Sequence, residues 1–366
     1  MKPSSRLNIL SVAFPFAPVR TDTAGGAEQV LAMIDEALAE AGHNSTVVAC
    51  EGSSVKGRLI KTPGVHGSID PMTTGFFAEK HLAAIRQALE NQQIDLIHMH
   101  GIDFAQYLPD TDVPVLVTLH LPLSWYPQNV LTNPPKGVYF NCVSASQYAS
   151  RPEMPSLLGF INNGIRLKDF RVKASKHNYA LSLGRICWDK GYHAALDAAK
   201  KAGIPLIIAG ELFPYEYHKE YYNKEILPRL DGNDYKFIGA VGLEKKKRLL
   251  SAAKCLLVPS MVPETSSLVA MEALACGTPV IAYAAGALTE IIEDGKTGFI
   301  VNSVDEMAEA IKLADSIDRD VCIKTARRRF SAERTIKEYF ELYEKIIFSF
   351  RGKPLRKTSE KRILNG

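Results

Sequence analysis

Two glutamates, Glu264 and Glu272, are separated by seven residues in the run PETSSLVAMEALACGTPVIA, residues 263–282. The apolar residues 256–258 read as a strand, which puts Glu264 in the loop at its carboxyl end. Ser266 or Ser267 can cap the helix that follows, so Glu272 falls about one and a half turns inside it. The carboxylates then lie roughly 10 Å apart along the element, and the free N–H groups of the helix start at Leu268 lie between them. This layout suits a ligand with hydroxyls at both ends and an anionic centre, such as a nucleoside diphosphate sugar. The helix end attracts the anion, and each carboxylate accepts from hydroxyls on its own flank. Two unrelated glutamates on a surface helix would show the same spacing, so the pair needs company.

Company comes from ALSLGRICWDKG, residues 180–191. A strand ends at Gly184, and Arg185 and Lys190 flank the turn into the next helix. Two cations there can hold a diphosphate as it departs, although a salt-bridged surface turn is the plainer reading. Gly25 and Gly26, in TAGGAEQV (residues 23–30), follow the first apolar run and open a helix whose start a ligand can approach closely. A bare Gly-Gly often marks only a tight turn. His98 and His100 share one face of a strand, and His120 follows another strand. Zinc would need a fourth ligand beside these three, and none suggests itself. Asp110-Thr111-Asp112 has the D-x-D form of some metal-dependent transferases, but it lies in a proline-bracketed polar loop of solvated turn residues. No catalytic metal and no cofactor are expected.

These residues must be positioned by regular elements. Short apolar runs predict strands at 9–14, 46–49, 96–100, 115–119, 138–143 and 158–161, with helices at 27–41 and 79–91. The second half predicts strands at 179–183, 206–209, 236–238, 256–258, 280–282 and 299–301. Its helices are expected at 192–202, 243–253, 268–275, 288–293 and 304–314. Such alternation predicts an α/β chain with parallel, doubly wound sheets, and about twelve strands exceed one ordinary sheet. Two Rossmann-like domains follow, 1–172 and 173–330, divided within the polar stretch 167–178. A helix over 331–350, opened by Ser331 and rich in aromatics, must pack on something, and the first domain is the candidate. Open parallel sheets bind ligands at the carboxyl ends of their strands, so the expected site is the cleft across which the two domains face.

The chain has 366 residues, 46% hydrophobic and 23% charged, which suits a soluble globular protein with two cores. Its formal charge is +4, yet residues 351–366 hold six Lys/Arg and one Glu, leaving −1 for the rest. No nucleic-acid partner is expected of such a body. The basic tail reads as a solvated end. With Ile346, Ile347 and Phe348 it also offers a weak contact to a membrane surface at the inner face. No run of 18 apolar residues exists, so no span is expected. The first 18 residues lack a small-residue cleavage site and read as a strand. Cys50, Cys142, Cys187, Cys255, Cys276 and Cys322 show no CxxC pair or metal spacing, as in a reduced cytoplasmic protein.

The motifs together resemble the donor-binding signature of retaining glycosyltransferases of family 4. The similarity runs through the strand, the E-x7-E element, ACGTPV at 275–280, Ala285-Gly286, Glu290-Ile291-Ile292 and GKTGFIV at 295–301. It covers most of the chain and is strongest over residues 180–302. It implies the GT-B fold and metal-independent transfer of a hexose, with retention at the anomeric carbon. The implied donor is a nucleoside diphosphate sugar of UDP or GDP type, and the acceptor a hydroxyl on a glycan, lipid-linked or small molecule. By this resemblance Glu264 binds hydroxyls of the donor sugar, Glu272 binds the ribose, and Arg185 and Lys190 neutralise the phosphates. Gly25 and Gly26 would lie over the phosphate and reacting sugar, His120 in VTLH near the sugar's reacting end, and His100 in the same cleft. The turn Asn162-Asn163-Gly164-Ile165 matches one at the family's domain junction. The chain departs from the pattern at Thr265-Ser266-Ser267, where a glycine-containing triplet is usual, and at Trp188-Asp189, where Pro-Glu is frequent. Base, sugar and acceptor stay open. So do two rivals: another GT-B enzyme, such as an epimerase or phosphorylase, and a non-catalytic sugar-nucleotide-binding protein.

Overall fold

A computed structural model describes residues 6–21, 23, 25–65, 71–171 and 174–352. The first sheet has seven strands: β1 (Asn8–Val12), β2 (Asn44–Cys50), β3 (Arg58–Thr62), β4 (Leu96–Met99), β5 (Val115–Leu119), β6 (Val138–Cys142) and β7 (Leu157–Phe160). Their order is β3-β2-β1-β4-β5-β6-β7, and every pair is parallel. The second sheet holds β8 (Ala180–Leu183), β9 (Leu206–Ala209), β10 (Tyr235–Phe237), β11 (Cys255–Val258), β12 (Val280–Tyr283) and β13 (Gly298–Val301). Its order is β10-β9-β8-β11-β12-β13, again all parallel. Central strands such as LIHM and VLVTL are buried along their whole length, as a sheet covered on both faces requires.

The sequence reading missed β3. RLIKT is an edge strand whose Arg58 and Lys61 are exposed, and such charges blunt an edge while hiding its strand character. It also missed the helix Arg319–Arg329, whose charges outnumber its apolar residues, although Cys322 and Ala326 are buried against the core around Ala270 and Leu274.

Each strand order reverses once, between β1 and β4 and between β8 and β11. A crevice opens at such a switch point, beyond the carboxyl ends of the strands. The loops that leave these strands carry Gly25 and Gly26 (after β1), His100 (after β4), Arg185 and Lys190 (after β8) and Glu264 (after β11), while His120 follows the neighbouring β5. The topology thus gathers the chemistry-bearing residues at the carboxyl end of each sheet.

The helix Ala332–Phe350 starts at Ser331, whose hydroxyl accepts from the Arg334 amide at 3.2 Å. It leaves the second domain and buries Tyr339, Tyr343, Ile346 and Ile347 against Leu7, Ile9, Val30 and Leu116 of the first. Arg351 pairs with Asp95 at 2.5 Å. Ile346 and Ile347 are therefore committed to the core and cannot also face lipid. The basic stretch 353–366 and the boundary residues 172 and 173 lie outside the described residues. Among those described, no helix is long and apolar enough to cross a membrane. All six cysteines are buried and unpaired, and burial pushes Cys142, Cys255 and Cys322 up to about 12.

Candidate active site

Glu264 is buried in the loop between β11 and the helix Leu268–Ala275. Its amide donates to the Ala285 carbonyl at 3.3 Å, and its carbonyl accepts from Ala287 at 2.8 Å. Gly286 permits this close pairing: its φ is +58°, and a Cβ there would stand 2.3 Å from the Glu264 carbonyl oxygen. The Lys190 Nζ donates to Glu264 Oε1 at 2.5 Å, and Ser260 Oγ donates to the same oxygen at 2.5 Å. Oε2 has no hydrogen bond among the described residues. The carboxylate is thus oriented through one oxygen and free to accept through the other. Lys190 is set by the turn at Gly191, where φ is +66° and a Cβ would meet the Pro259 carbonyl oxygen at 2.0 Å. The loops after β8 and β11 touch backbone to backbone there.

The helix Leu268–Ala275 corrects one expectation. Ser267 occupies the N-cap position but makes no capping hydrogen bond, and Ser266 Oγ is buried without a partner. The reason is backbone geometry. Ser267 enters the helix with ψ 90°, whereas Ser144, Ser303 and Ser331, which do cap their helices, have ψ 163°, 165° and 135°. No side chain therefore caps the first-turn amides.

Further along this helix, Glu272 is buried, and its Oε1 accepts from Lys246 Nζ at 2.7 Å. Lys246 belongs to the helix Leu243–Ala252 and lies in a run of three lysines, where spacing alone does not single it out. An open cleft runs past this pair, lined by Leu268 and Phe170 on one side and Gln29, Val30 and Met33 on the other. Glu264 and Glu272 thus serve the two ends of one helix start, each with its own lysine.

The first domain reaches the same helix through its glycines. Gly25 is the N-cap of the helix Gly26–Glu40, and a Cβ on it would stand 1.8 Å from Glu28 Oε2. A Cβ on Gly26 would lie in ordinary contact, 3.6 Å from Leu268 Cδ1, so the starts of the two helices lie against each other. Glu28 was not among the residues expected at the site. It is buried, and burial raises its pKa against the pull of its own amide and of Arg185. The only sequence signal for it is an acidic residue in the first turn after the glycine pair. The Arg185 guanidinium has no ion pair or hydrogen bond among the described residues. Its charge is felt by Glu28 of the first domain and by Tyr215, Tyr217 and His218 of the second.

The three histidines form a stack. His98 meets Tyr343 Oη through Nδ1 and Thr118 Oγ1 through Nε2, each at 2.7 Å. Its ring lies 4.0 Å from that of His100, and His100 Nδ1 meets His120 Nε2 at 2.9 Å. His98 spends both ring nitrogens, His100 and His120 share one bond, and His100 Nε2 is buried without a partner; among the described residues no cluster of three such side chains is placed to hold a metal ion. Burial holds all three far below the ordinary histidine value, His120 down to about 3, so they are neutral at pH 7. Thr265 Oγ1 donates to the His120 carbonyl at 2.6 Å, so the first residue of the Thr265-Ser266-Ser267 triplet ties the two domains together. The Glu290 carboxylate makes a second tie by accepting from the Ala145 and Ser146 amides of the first domain.

Residues 24–149 match the family described as Glycosyltransferase Family 4, and residues 165–329 match Glycosyl transferases group 1. The lipopolysaccharide 1,2-N-acetylglucosaminetransferase of Salmonella typhimurium is 26% identical over 275 residues, 72% of this chain and 65% of that enzyme. Sucrose-phosphate synthase of Thermosynechococcus elongatus shares the fold with a TM-score of 0.76 at 22% identity, covering 93% of this chain and 100% of the other. Anabaena HepE in complex with UDP-glucose shares it with a TM-score of 0.71 at 19% identity, covering 93% and 100%. Matched over its first domain by one family description and over its second by the other, on a GT-B fold of two facing parallel-sheet domains, the chain belongs to the family 4, group 1 glycosyltransferases.

Proposed function

We propose that the protein transfers a hexose, with retention and without a metal, from a UDP- or GDP-type sugar to a hydroxyl of a carbohydrate, lipid-linked or small-molecule acceptor. The observation that carries this reading is the 2.5 Å contact between Lys190 and Glu264 beside a helix start that no side chain caps. One contact joins a cation for the departing phosphate to a half-free carboxylate for the sugar hydroxyls. The nucleoside then lies in the cleft against Leu268, with its ribose on Glu272. The diphosphate meets the amides of Ser267 and Leu268, the buried Ser266 hydroxyl, Arg185 and Lys190. Gly25 and Gly26 close over it from the first domain. The UDP-glucose complex of the Anabaena protein, alike in fold, supports a ligand of this kind.

The bond from the anomeric carbon to the phosphate oxygen breaks, and its electron pair leaves on the phosphate. Arg185, Lys190 and the helix amides stabilise that growing charge and supply the positive potential a metal would otherwise provide. The acceptor oxygen bonds the anomeric carbon from the same face, and its proton passes to the departing phosphate oxygen. His120, neutral and stacked on His100, offers a hydrogen bond at the reacting end but no charge. The buried, unpaired cysteines support a reducing, cytoplasmic setting.

Glu264→Ala and Lys190→Ala are each expected to lower turnover about a hundredfold while leaving the fold intact. A donor screen of UDP-, GDP- and ADP-glucose by thermal shift, followed by release of nucleoside diphosphate, measures it. Variants as active as the parent would refute the assignment.

A further inference from the structure

The amino end of the first sheet carries a pocket of its own. It has a volume of about 570 Å³ and opens among the starts of β1, β2 and β3 and the residues leading into β4, with Arg6, Lys56 and Arg58 on its walls. Gly25, Gly26 and His100 lie at the opposite, carboxyl end of these strands. The helix Gly26–Glu40, roughly 22 Å long, runs from one end to the other.

The positive charge in this pocket has no counterpart. Among the described residues Arg6, Lys56 and Arg58 make no ion pair, and no acidic side chain lines the walls. Two aspartates near by are spent on building the site. Asp35 Oδ1 accepts from Ser45 Oγ at 2.6 Å and from the Gly57 amide at 3.1 Å, and Oδ2 accepts from the Lys56 amide at 2.6 Å. Asp35 thereby pins the turn that carries Lys56 and Arg58. Gly57 is required there, because a Cβ would stand 2.4 Å from the Ser45 carbonyl oxygen. Asp95 accepts from the Asn8 amide and side chain at 2.9 and 2.8 Å and pairs with Arg351. Arg58 lies in register with Thr46, whose Oγ1 donates to Gln92 Oε1 at 3.0 Å. That contact leaves Gln92 Nε2 buried with no partner. The helix Gly26–Glu40 ends at the pocket, but the amides of Ala41, Gly42 and His43 occupy its last carbonyls and mute its negative end.

Charges on an edge strand blunt the edge. That role requires neither Arg6, which precedes β1, nor a buried amide with an unused donor. Unpaired cations around an unsatisfied N–H call for an anion that accepts. Two guanidiniums and an ammonium match a dianion better than a single carboxylate, and the guanidinium fork suits phosphate oxygens. The volume falls within the range of small-molecule sites, roughly 300–1,000 Å³, and leaves room beyond a bare phosphate. We propose that this pocket binds a phosphate monoester. Its phosphoryl group is held by Arg6, Lys56, Arg58 and Gln92 Nε2, and its organic part lies against Asn8, Asn44 and Gln93. The site is separate from the donor site, and its occupant ties the turn before β3 to the chain before β1.

The test titrates the full chain with glucose 6-phosphate, glycerol 3-phosphate and glucose at constant ionic strength, reading binding by calorimetry and by the urea midpoint. Both esters are expected to bind and raise the midpoint, and glucose to do neither. Arg6→Gln combined with Arg58→Gln should weaken ester binding at least about tenfold, with nucleotide-sugar affinity within about twofold of the parent. Gln92→Leu, which removes the buried donor without changing charge, should weaken it about threefold or more. The proposal is overturned by failure of both esters to bind, or by unchanged binding in either variant. Loss of ester binding in Lys190→Ala or under saturating UDP-glucose would also overturn it, by assigning the ester to the donor site. Phosphatidylcholine vesicles containing phosphatidic acid distinguish the source. Sedimentation with them, reversed by glucose 6-phosphate, assigns the monoester to a lipid headgroup, whereas binding of the free esters alone assigns it to a soluble metabolite. None of these readouts involves sugar transfer, so their failure leaves the transferase reading untouched.

Discussion

Glu264 is held by residues that carry no charge as much as by Lys190. At Gly286 a side chain would meet strained backbone and the Glu264 carbonyl oxygen together. Gly286→Ala is therefore expected to lower stability by about 1–3 kcal/mol and to weaken donor binding, as read by urea unfolding and donor titration. The histidine stack predicts a pH response. A histidine held below its ordinary value binds fewer protons folded than unfolded, so stability is lost as pH falls from 6.5 toward the folded value, about 3 for His120. Each such group contributes up to about 1.4 kcal/mol per pH unit in that window. His81 and His218, both lowered to about 4 by burial, act in the same direction. Asp103, raised from 3.8 to about 6 by burial, opposes them, because its contribution is lost as pH rises through that range. The urea midpoint should therefore fall between pH 6.5 and 4.5, with a shallower slope in His120→Asn. A flat profile in the parent protein would contradict a buried neutral stack.

Among the elements, the helix Ala332–Phe350 does the most to join the two halves. Its Tyr343 hydroxyl bonds His98, and Tyr339 and Tyr343 fill the first domain's core beneath β4 and β5. Tyr343→Phe keeps the packing but leaves His98 Nδ1 unpaired, at a cost of about 1–3 kcal/mol. Equilibrium unfolding should show that loss in the first domain's transition, and an unchanged midpoint would mean that His98 finds another partner.

At the scale of the whole molecule, the two chain crossings between domains run side by side. Ile165 donates to the Phe330 carbonyl at 2.8 Å, and Ala332 donates to Ile165 at 3.0 Å. Paired crossings make a hinge, and side-chain ties from Thr265 to His120 and from Glu290 to Ala145 and Ser146 join the domains besides it. Glu290→Ala should open the unliganded protein, increase its radius of gyration in small-angle scattering and raise the donor KM, with closure restored by saturating donor. A scattering curve identical to the parent's would assign closure to other contacts.

Two parallel sheets, the positions of nearly all their strands, and the E-x7-E, Gly-Arg…Lys-Gly and Gly-Gly motifs were legible along the chain, because they are local patterns of hydrophobic period and residue type. The edge strand Arg58–Thr62 and the charged helix Arg319–Arg329 were not, because polar surface masks their period. The partners of the two glutamates were legible only in part. Lys190 stands in a motif, but Lys246 is one of three successive lysines, and only the packing of its helix against Leu268–Ala275 selects it. Ser267 looked like a cap until its ψ angle removed it from that role. Thr265 and His120, remote in sequence and on different domains, meet only when the sheets face each other. Composition and period determine which elements form, whereas contacts between distant residues depend on how those elements pack.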